Sequence, residues 1–403
     1  MQKITDKRRV NALAVLFSLT YMVSYLTRIN FAAIILEMVD KTGIPKSMLT
    51  MSLTGSFIFY AVGQLVSGVC GDKFSPKKLV ALGLTVTASM NFLIPLCKSH
   101  IPMLIFWSIN GFAQAFMWPP IVKMMAVLFD ADNYKSVALK VSWGSSIGTM
   151  LTYFIAPLII SVLSWKFVFV FSGAVAVIML LFWLKFSVET GVQVVSKTQN
   201  EKESSIKNIF FNPLVITILF IIILMGMLKD GVSTWMPSYI AETYNLSNVV
   251  SILTGVVLPV FAILCFQGSD ILHKRLIKNP LTCCGAFFSL GTVFAVLLNI
   301  TSGNSAIGSV IGAAVLTGSM HGANLMLITM LPPYFQKYGK VSTASGLLNC
   351  CTYIGSALST YVVALFAEAY GWGFNLITWL FIAFLGAVLS FVCSKSFSKK
   401  FMQ

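Results

Sequence analysis

Three observations predict an all-α integral membrane protein of twelve spans, arranged as two similar six-helix halves. Of 403 residues, 57% are hydrophobic and only 10% charged, and the mean hydropathy is +0.86. A soluble globular chain carries roughly 25% charged residues, so the surface of this one is built for lipid. Apolar runs long enough to cross a bilayer recur from end to end, and motifs of the first half return in order in the second.

The runs, each about 20 apolar residues bounded by charge or turn residues, begin at 10–36, where "YLTRINFA" places Arg28 inside the apolar stretch, and continue at 48–70, which ends in "GQLVSGVCGDKFSPKK". The third, 79–97, follows those lysines; the fourth, 101–128, contains "WPPIVKMM". The fifth, 136–163, opens "KSVALKVSWGSSIG", and the sixth, 166–187, opens "SWKFVF". After a polar stretch come 213–240, carrying "LKDGVSTWMPSYI", and 248–269, ending in "LCFQGSDILHKRLIKNP". The last four are 279–300, 304–331 with "SMHGANLMLITML", 341–369 opening "VSTASGLLNCCTYIG", and 372–394 opening "GWGFNL".

Asp72 and Asp270, Ser136 and Ser342, and Trp165 and Trp372 are matched positions of an internal repeat, a common construction among membrane carriers. The predicted organisation is a first six-helix bundle at 1–187, a linker at 188–212 and a second bundle at 213–403. The linker is too rich in Lys, Glu and Ser to enter lipid and reads as a polar tether.

Orientation follows from the basic residues. Loops on the side of both termini hold Lys3, Lys7, Arg8, Arg9, Lys73, Lys77, Lys78, Lys135, Lys274, Arg275, Lys278, Lys337 and Lys340, whereas the opposite loops hold only Lys41, Lys46, Lys98 and Lys166. The positive-inside rule puts the termini in the cytoplasm, which predicts a multi-pass protein of the cell membrane. The net charge of +15 is then the topology signal, and no nucleic-acid partner is implied. The first apolar run is too long for a signal-peptide core and is expected to stay as a helix. The eight cysteines lie in or beside apolar runs, with adjacent pairs at Cys283-Cys284 and Cys350-Cys351; that spacing suits neither a disulfide framework nor a metal site. No cofactor or metal is expected, and the chain is expected to work as a monomer.

Two six-helix halves, "GDKFSPKK" between the second and third runs, and W-x-F opening the sixth and twelfth resemble the major facilitator superfamily over essentially the whole chain. "YLTRINFA", "WPPIVKMM" and "LKDGVSTWMPSYI" resemble, more narrowly, the organophosphate:phosphate antiporter branch, which includes glycerol-3-phosphate and hexose-phosphate exchangers. The resemblance implies two pseudo-symmetric bundles and secondary active transport by alternating access.

Arg28 needs a reason to be where it is, because an arginine at the centre of a spanning helix costs from about 2.5 to more than 10 kcal/mol. Counted from the cytoplasmic ends, Arg28 and Lys229 are each roughly 24–27 Å along their helices at about 1.5 Å per residue, which makes them equivalent positions of the two halves. Two cations at matched depth suit a mid-membrane anion site: Arg28 offers a planar fork and Lys229 a point charge. The resemblance implies that residues at these positions bind the phosphoryl group. The bland alternative pairs each with a carboxylate such as Glu37 or Asp230, or lets it snorkel. The sequence departs from the branch at Lys229, where the bacterial exchangers carry arginine, at Ser145, where a substrate-contacting histidine is expected, and at Gln64, where one exchanger has lysine; a carboxylate or sulfonate head group stays open.

Other polar residues inside the runs are candidates to line the cavity: Tyr25, Asn30, Tyr60, Trp118 and Trp143 in the first half, and Trp235, Tyr239, Asn324, Asn349 and Tyr353 in the second. For each, packing is an equal alternative, since Trp and Tyr also populate membrane interfaces. Asp230 and His321 are candidates for coupling transport to a proton, His321 because its unperturbed pKa is near 6.5. Asp72, with Lys73 and Lys77, is expected to act as a gate by meeting its own basic loop and the N-terminal dipole of a neighbouring helix; the resemblance implies a conformational latch. Lys123 and Asp270 join it as gate candidates, and Lys140 is similar to Lys123. Glycine pairs at four-residue spacing, Gly144/Gly148, Gly308/Gly312 and Gly318/Gly322, permit close helix approach. Neither nucleotide-binding nor hydrolase motifs occur, so no enzyme is expected. The expected partners are a small anion, with a counter-anion or a proton, and the lipid bilayer. A channel would not need the paired cations, and a non-transporting sensor is a second alternative to the carrier.

Overall fold

A computed structural model describes residues 3–190, 212–246, 254 and 257–401. Most of the predicted linker at 188–212 and the start of the eighth run, from 248, lie outside the described residues. The rest is helical: α1 Lys7–Ala33, α2 Ile35–Thr42, α3 Lys46–Lys73, α4 Pro76–Leu93, α5 His100–Gln114, α6 Trp118–Leu128, α7 Ala131–Val162 and α8 Lys166–Phe186 come first. They are followed by α9 Pro213–Tyr244, α10 Val257–Arg275, α11 Pro280–Thr301, α12 Ala306–Asn324, α13 Val341–Tyr370 and α14 Trp372–Phe401. Among the described residues, ten helices are long and apolar enough to cross a membrane.

Local chemistry explains the starts. A helix leaves its first N–H groups without partners, and a short polar side chain just ahead of it accepts from one of them. Asp6 does this for α1, Ser75 for α4, Asp130 for α7, Asn212 for α9, Asn279 for α11 and Ser305 for α12. Proline in the first turn, whose missing N–H costs nothing there, reinforces α4, α9 and α11.

Two predicted runs are broken. The first stops at Ala33, short of residue 36, and the chain continues as α2, which closes on Gly43 at φ +69°, a left-handed turn that glycine adopts without strain. The fourth, predicted as one span over 101–128, is α5 and α6 with a turn at Ala115–Met117, because Pro119 and Pro120 suit only the start of a helix. The tenth loosens at its end, where Leu325–Met330 form a π-helical turn after α12.

The chain forms two compact units, one of Met1–Val194 with Phe335–Cys350 and the other of Val195–Tyr334 with Cys351–Gln403. In the first, α1 packs on α7 and α8, α3 on α5 and α6, and α4 on α5 and α8. Two glycines on α7 bring α1 close: a Cβ on Gly144 would meet the Ser18 carbonyl oxygen, and one on Gly148 the Met22 carbonyl oxygen. Phe31, Trp107, Trp165 and Phe169 form an aromatic core, with ring centroids 5.0 to 6.0 Å apart.

Beside that core lies a buried amide network. Thr27 Oγ1 accepts from Gln114 Nε2 at 2.8 Å, and Gln114 Oε1 accepts from Ser24 Oγ at 2.7 Å. The Thr27 carbonyl accepts from Asn91 and Asn110, each at 3.3 Å, and Asn91 Oδ1 accepts from Asn30 Nδ2 at 2.8 Å. Lipid offers no replacement for such bonds, so the network pins α1 to α4 and α5.

In the second unit, α11 packs on α12 and α14, α10 on α12, and α9 on α12 and α14. The α9–α13 crossing is as close as that of α1 and α7, with Gly226 facing the Thr352 carbonyl and Gly355 that of Ile223. Outward faces are apolar: Ile377, Phe381, Phe384 and Val388 on α14, and Ile178, Leu181 and Phe182 on α8, are exposed at helical spacing, as expected of lipid-facing stripes.

Candidate functional site

Arg28 lies one peptide beyond the Thr27 carbonyl, so the amide network holds its backbone. Its side chain is 9% exposed, with the guanidinium carbon 4.2 Å from the Tyr25 ring centroid and 4.8 Å from that of Tyr60. Two electron-rich faces stabilise a desolvated guanidinium by about 0.5–2 kcal/mol each. The aromatic surface continues through Tyr21, 5.2 Å from Tyr25 and 4.7 Å from Trp118 by ring centroids. Trp118 is buried, and its indole Nε1 has no hydrogen-bond partner among the described residues. A buried donor without an acceptor is costly, so this N–H is suited to an acceptor on a ligand. The structure therefore gathers Tyr25, Arg28, Tyr60 and Trp118.

Two other candidates, Asn30 and Ser145, are occupied elsewhere. Asn30 is fully buried and spent on the tie to Asn91 and on accepting from the Phe31 N–H. Ser145 donates back to the Ser142 carbonyl of its own helix at 2.7 Å. Gln64 is fully buried, with Nε2 3.4 Å from the Ala115 carbonyl oxygen.

In the second unit, Lys229 is buried, with Nζ 5.8 Å from the Tyr353 ring centroid. Its partner is the next residue: Nζ stands 3.4 Å from Asp230 Oδ1. Successive residues do not share a helix face, but the long lysine stem folds back far enough to close the pair. Asp230 also accepts from the Ser356 hydroxyl on α13, a contact that the sequence reading missed. Trp235 is not left for a ligand, since its Nε1 donates to the Thr360 carbonyl at 3.2 Å. Tyr239 is spent on Ser302 and Ser309, at 2.9 and 3.2 Å. His321 packs edge-on to Phe266, at 5.4 Å between ring centroids. Asn324 is half-buried at the end of α12, just before the π-helical turn, and Asn349 is buried on the part of α13 grouped with the first unit.

The gate candidates have well-defined partners. Asp72, in the last turn of α3, accepts from the Ser342 N–H at 3.0 Å, the Thr343 N–H at 2.8 Å and Thr343 Oγ1 at 2.6 Å. These are the second and third N–H groups of α13, the ones a capping side chain ordinarily takes, so α3 caps α13 with a full charge on its dipole. Gly68 and Gly71 allow the approach, since a Cβ on either would press on Ser342. Lys123 secures the α3 end, donating to the carbonyls of Gly71 at 2.7 Å and Asp72 at 3.2 Å.

The expected meeting of Asp72 with its basic loop does not occur among the described residues, because α13 takes both carboxylate oxygens. Lys73 is exposed, and Lys77 donates to the Ser187 carbonyl at 2.9 Å. Asp270 is used differently again: Oδ2 takes Lys274 of its own helix at 2.8 Å, while Oδ1 is buried without a hydrogen-bond partner among the described residues. Lys140 reaches Asn11 at 3.0 Å. At the chain start, Lys3 donates to the Ala126 carbonyl at 2.6 Å, and burial holds its pKa below the usual lysine value against the attraction of Asp130.

The sequence profile described as Major Facilitator Superfamily matches residues 17–360. Among curated proteins, the chain is similar to a "Probable hexose phosphate transport protein" of Chlamydia muridarum, 23% identical over 92% of this chain and 86% of that one. It is similar also to a "Glycerol-3-phosphate transporter" of Bacillus subtilis, 26% identical over 86% and 84%, and to "Membrane sensor protein UhpC" of Salmonella typhimurium, 23% identical over 92% and 90%. Among solved structures, the human organic anion transporter MFSD10 superposes with a TM-score of 0.76 at 14% identity, over 96% of this chain and all of that one. Taken together with the helical, lipid-facing architecture, these findings make the chain a multi-pass membrane protein that belongs to the Major Facilitator Superfamily.

Proposed function

We propose that the protein is a secondary active transporter that carries a phosphorylated sugar or glycerol phosphate across the cell membrane in exchange for inorganic phosphate, by alternating access. Membership of a transporter superfamily sets an enzymatic reading aside. The observation that carries the proposal is Arg28, buried within a spanning helix and cradled by Tyr25 and Tyr60, an arrangement that keeps a bidentate oxyanion donor charged away from water. The curated relatives named as hexose phosphate and glycerol-3-phosphate transporters support the same substrate class. Arg28 and Lys229 are the residues assigned to the anion, Asp72 with Lys123 to the gate, and the excess of Lys and Arg in alternate loops supports a cytoplasmic location of both termini.

The test is uptake of labelled glycerol phosphate and hexose phosphate into proteoliposomes loaded with phosphate or left empty. Rapid uptake only into loaded vesicles is the expected result; no uptake of any phosphate ester under either condition would sink the proposal. Binding without flux would instead favour a sensor, the role in the name of one relative. Asp230, beside Lys229, favours a second reading, proton-coupled symport of a carboxylate or other non-phosphate anion.

A further inference from the structure

Lys229 and Asp230 form a closed arrangement inside the second unit. Their side chains are 7% and 29% exposed, so the ammonium is nearly desolvated while the carboxylate stays partly accessible. Asp230 is held from two directions: Oδ1 lies 3.4 Å from Lys229 Nζ, and Oδ2 accepts from the Ser356 hydroxyl. Ser356 is 1% exposed, and its hydroxyl has a second acceptor in reach, the Thr352 carbonyl of its own helix at 3.0 Å. One hydroxyl proton serves one acceptor well, and a bond to an ionised acceptor is about twice as strong as a neutral one. The proton therefore belongs to Asp230. The close glycine crossing of α9 and α13 brings Ser356 within reach of a side chain as short as aspartate.

Resting on the reading of Lys229 as an anion-binding residue, we infer that Asp230, tethered by Ser356, is the resting counter-anion of Lys229, which an incoming anion must displace. A buried lone ammonium is expensive, so the empty protein needs a negative partner there. A carboxylate on the next residue is always present, at an effective concentration that a dissolved anion does not reach. Displacement then demands more than charge. Lys229 has three N–H donors, and Asp230 meets the ammonium through one oxygen at a long 3.4 Å. A tetrahedral oxyanion such as phosphate, sulfate or a sulfonate brings several oxygens to that ammonium. Asp230 therefore sets a threshold for binding, and Ser356 is a positioning residue that sets its height. His321 on α12 lies within electrostatic range of both charges, and Tyr353 lines the lysine.

The inference is tested on the full-length protein in detergent by thermal unfolding of the wild type, Lys229→Met, Asp230→Asn, the double variant and Ser356→Ala. Each is titrated with inorganic phosphate, sulfate and methanesulfonate. Without anion, each charge change should lower the midpoint, and the double variant should lose less than the two losses combined, the signature of a coupled pair. Asp230→Asn should then respond to phosphate at about tenfold lower concentration than the wild type, with Ser356→Ala between them.

Losses that simply add, or a phosphate response in Asp230→Asn equal to or weaker than that of the wild type, would overturn the inference. Should Asp230→Asn fail to fold, Ser356→Ala decides: it retains both charges, and an unchanged phosphate response then counts against the tether. If phosphate moves none of the five proteins while sulfate or methanesulfonate does, the organophosphate reading falls and the counter-anion is judged on those two. If no anion moves any of them, both fall.

Discussion

The proposed role of Arg28 rests on its shape as well as its charge. Between Tyr25 and Tyr60 a lysine would still be stabilised as a cation, yet it would lose the paired N–H donors that match two oxygens of a phosphate. Arg28→Lys is therefore expected to weaken binding of the best anionic ligand by about tenfold or more in a protein that still folds and inserts, read by equilibrium binding to purified protein. Unchanged affinity in Arg28→Ala would remove Arg28 from the site. Arg28 and Lys229 were legible in the sequence because a charge inside an apolar run has few innocent explanations. Ser356 was not, since a serine in a spanning helix usually satisfies itself on its own backbone, and only the helix opposite shows otherwise. Asn30 and Trp235 have donors committed to Asn91 and Thr360, neighbours that no linear reading reveals, whereas Ser145 bonds its own backbone.

For the elements, the informative joint is that of α3 with α13. Helix α13 relies on Asp72 for the bonds at its second and third N–H groups. A carboxylate there adds a charge–dipole attraction of about 0.3–1 kcal/mol to an N-cap bond of about 0.5–2 kcal/mol. Asp72→Asn keeps the shape and loses the charge along with one acceptor. It is expected to change turnover several-fold while leaving equilibrium affinity for substrate within about twofold, because it biases a conformational equilibrium without touching ligand. Stopped-flow transport set beside equilibrium binding separates the two; a change confined to affinity would refute the gate role. The predicted runs meet the helix starts at Lys166, Pro213, Val341 and Trp372 but begin three to five residues late at α1, α4 and α7, whose Asp and Ser caps lie ahead of the apolar stretch. They fail at the Ala115–Met117 break and the π-helical turn, where the side chains are as apolar as those of the spans they interrupt.

At the scale of the whole molecule, the open choice is what drives the cycle. An exchanger must not reorient empty, so flux should require an anion on the far side and respond little to an imposed pH gradient. A proton symporter needs a carboxylate at the site, and Asp230 stands beside Lys229. If an incoming anion displaces Asp230 from Lys229, carriage of a proton with the substrate becomes the physical alternative to exchange. Exchange is expected to prevail, on the strength of the relatives named as phosphate-ester transporters. Wild-type uptake should then stop in anion-free vesicles and change by less than about twofold under an inward proton gradient of one pH unit, where full one-proton coupling would allow a roughly tenfold greater accumulation. Substantial uptake into anion-free vesicles that is driven by the proton gradient and abolished in Asp230→Asn would make the protein a symporter, with the aspartate beside Lys229 as its proton carrier.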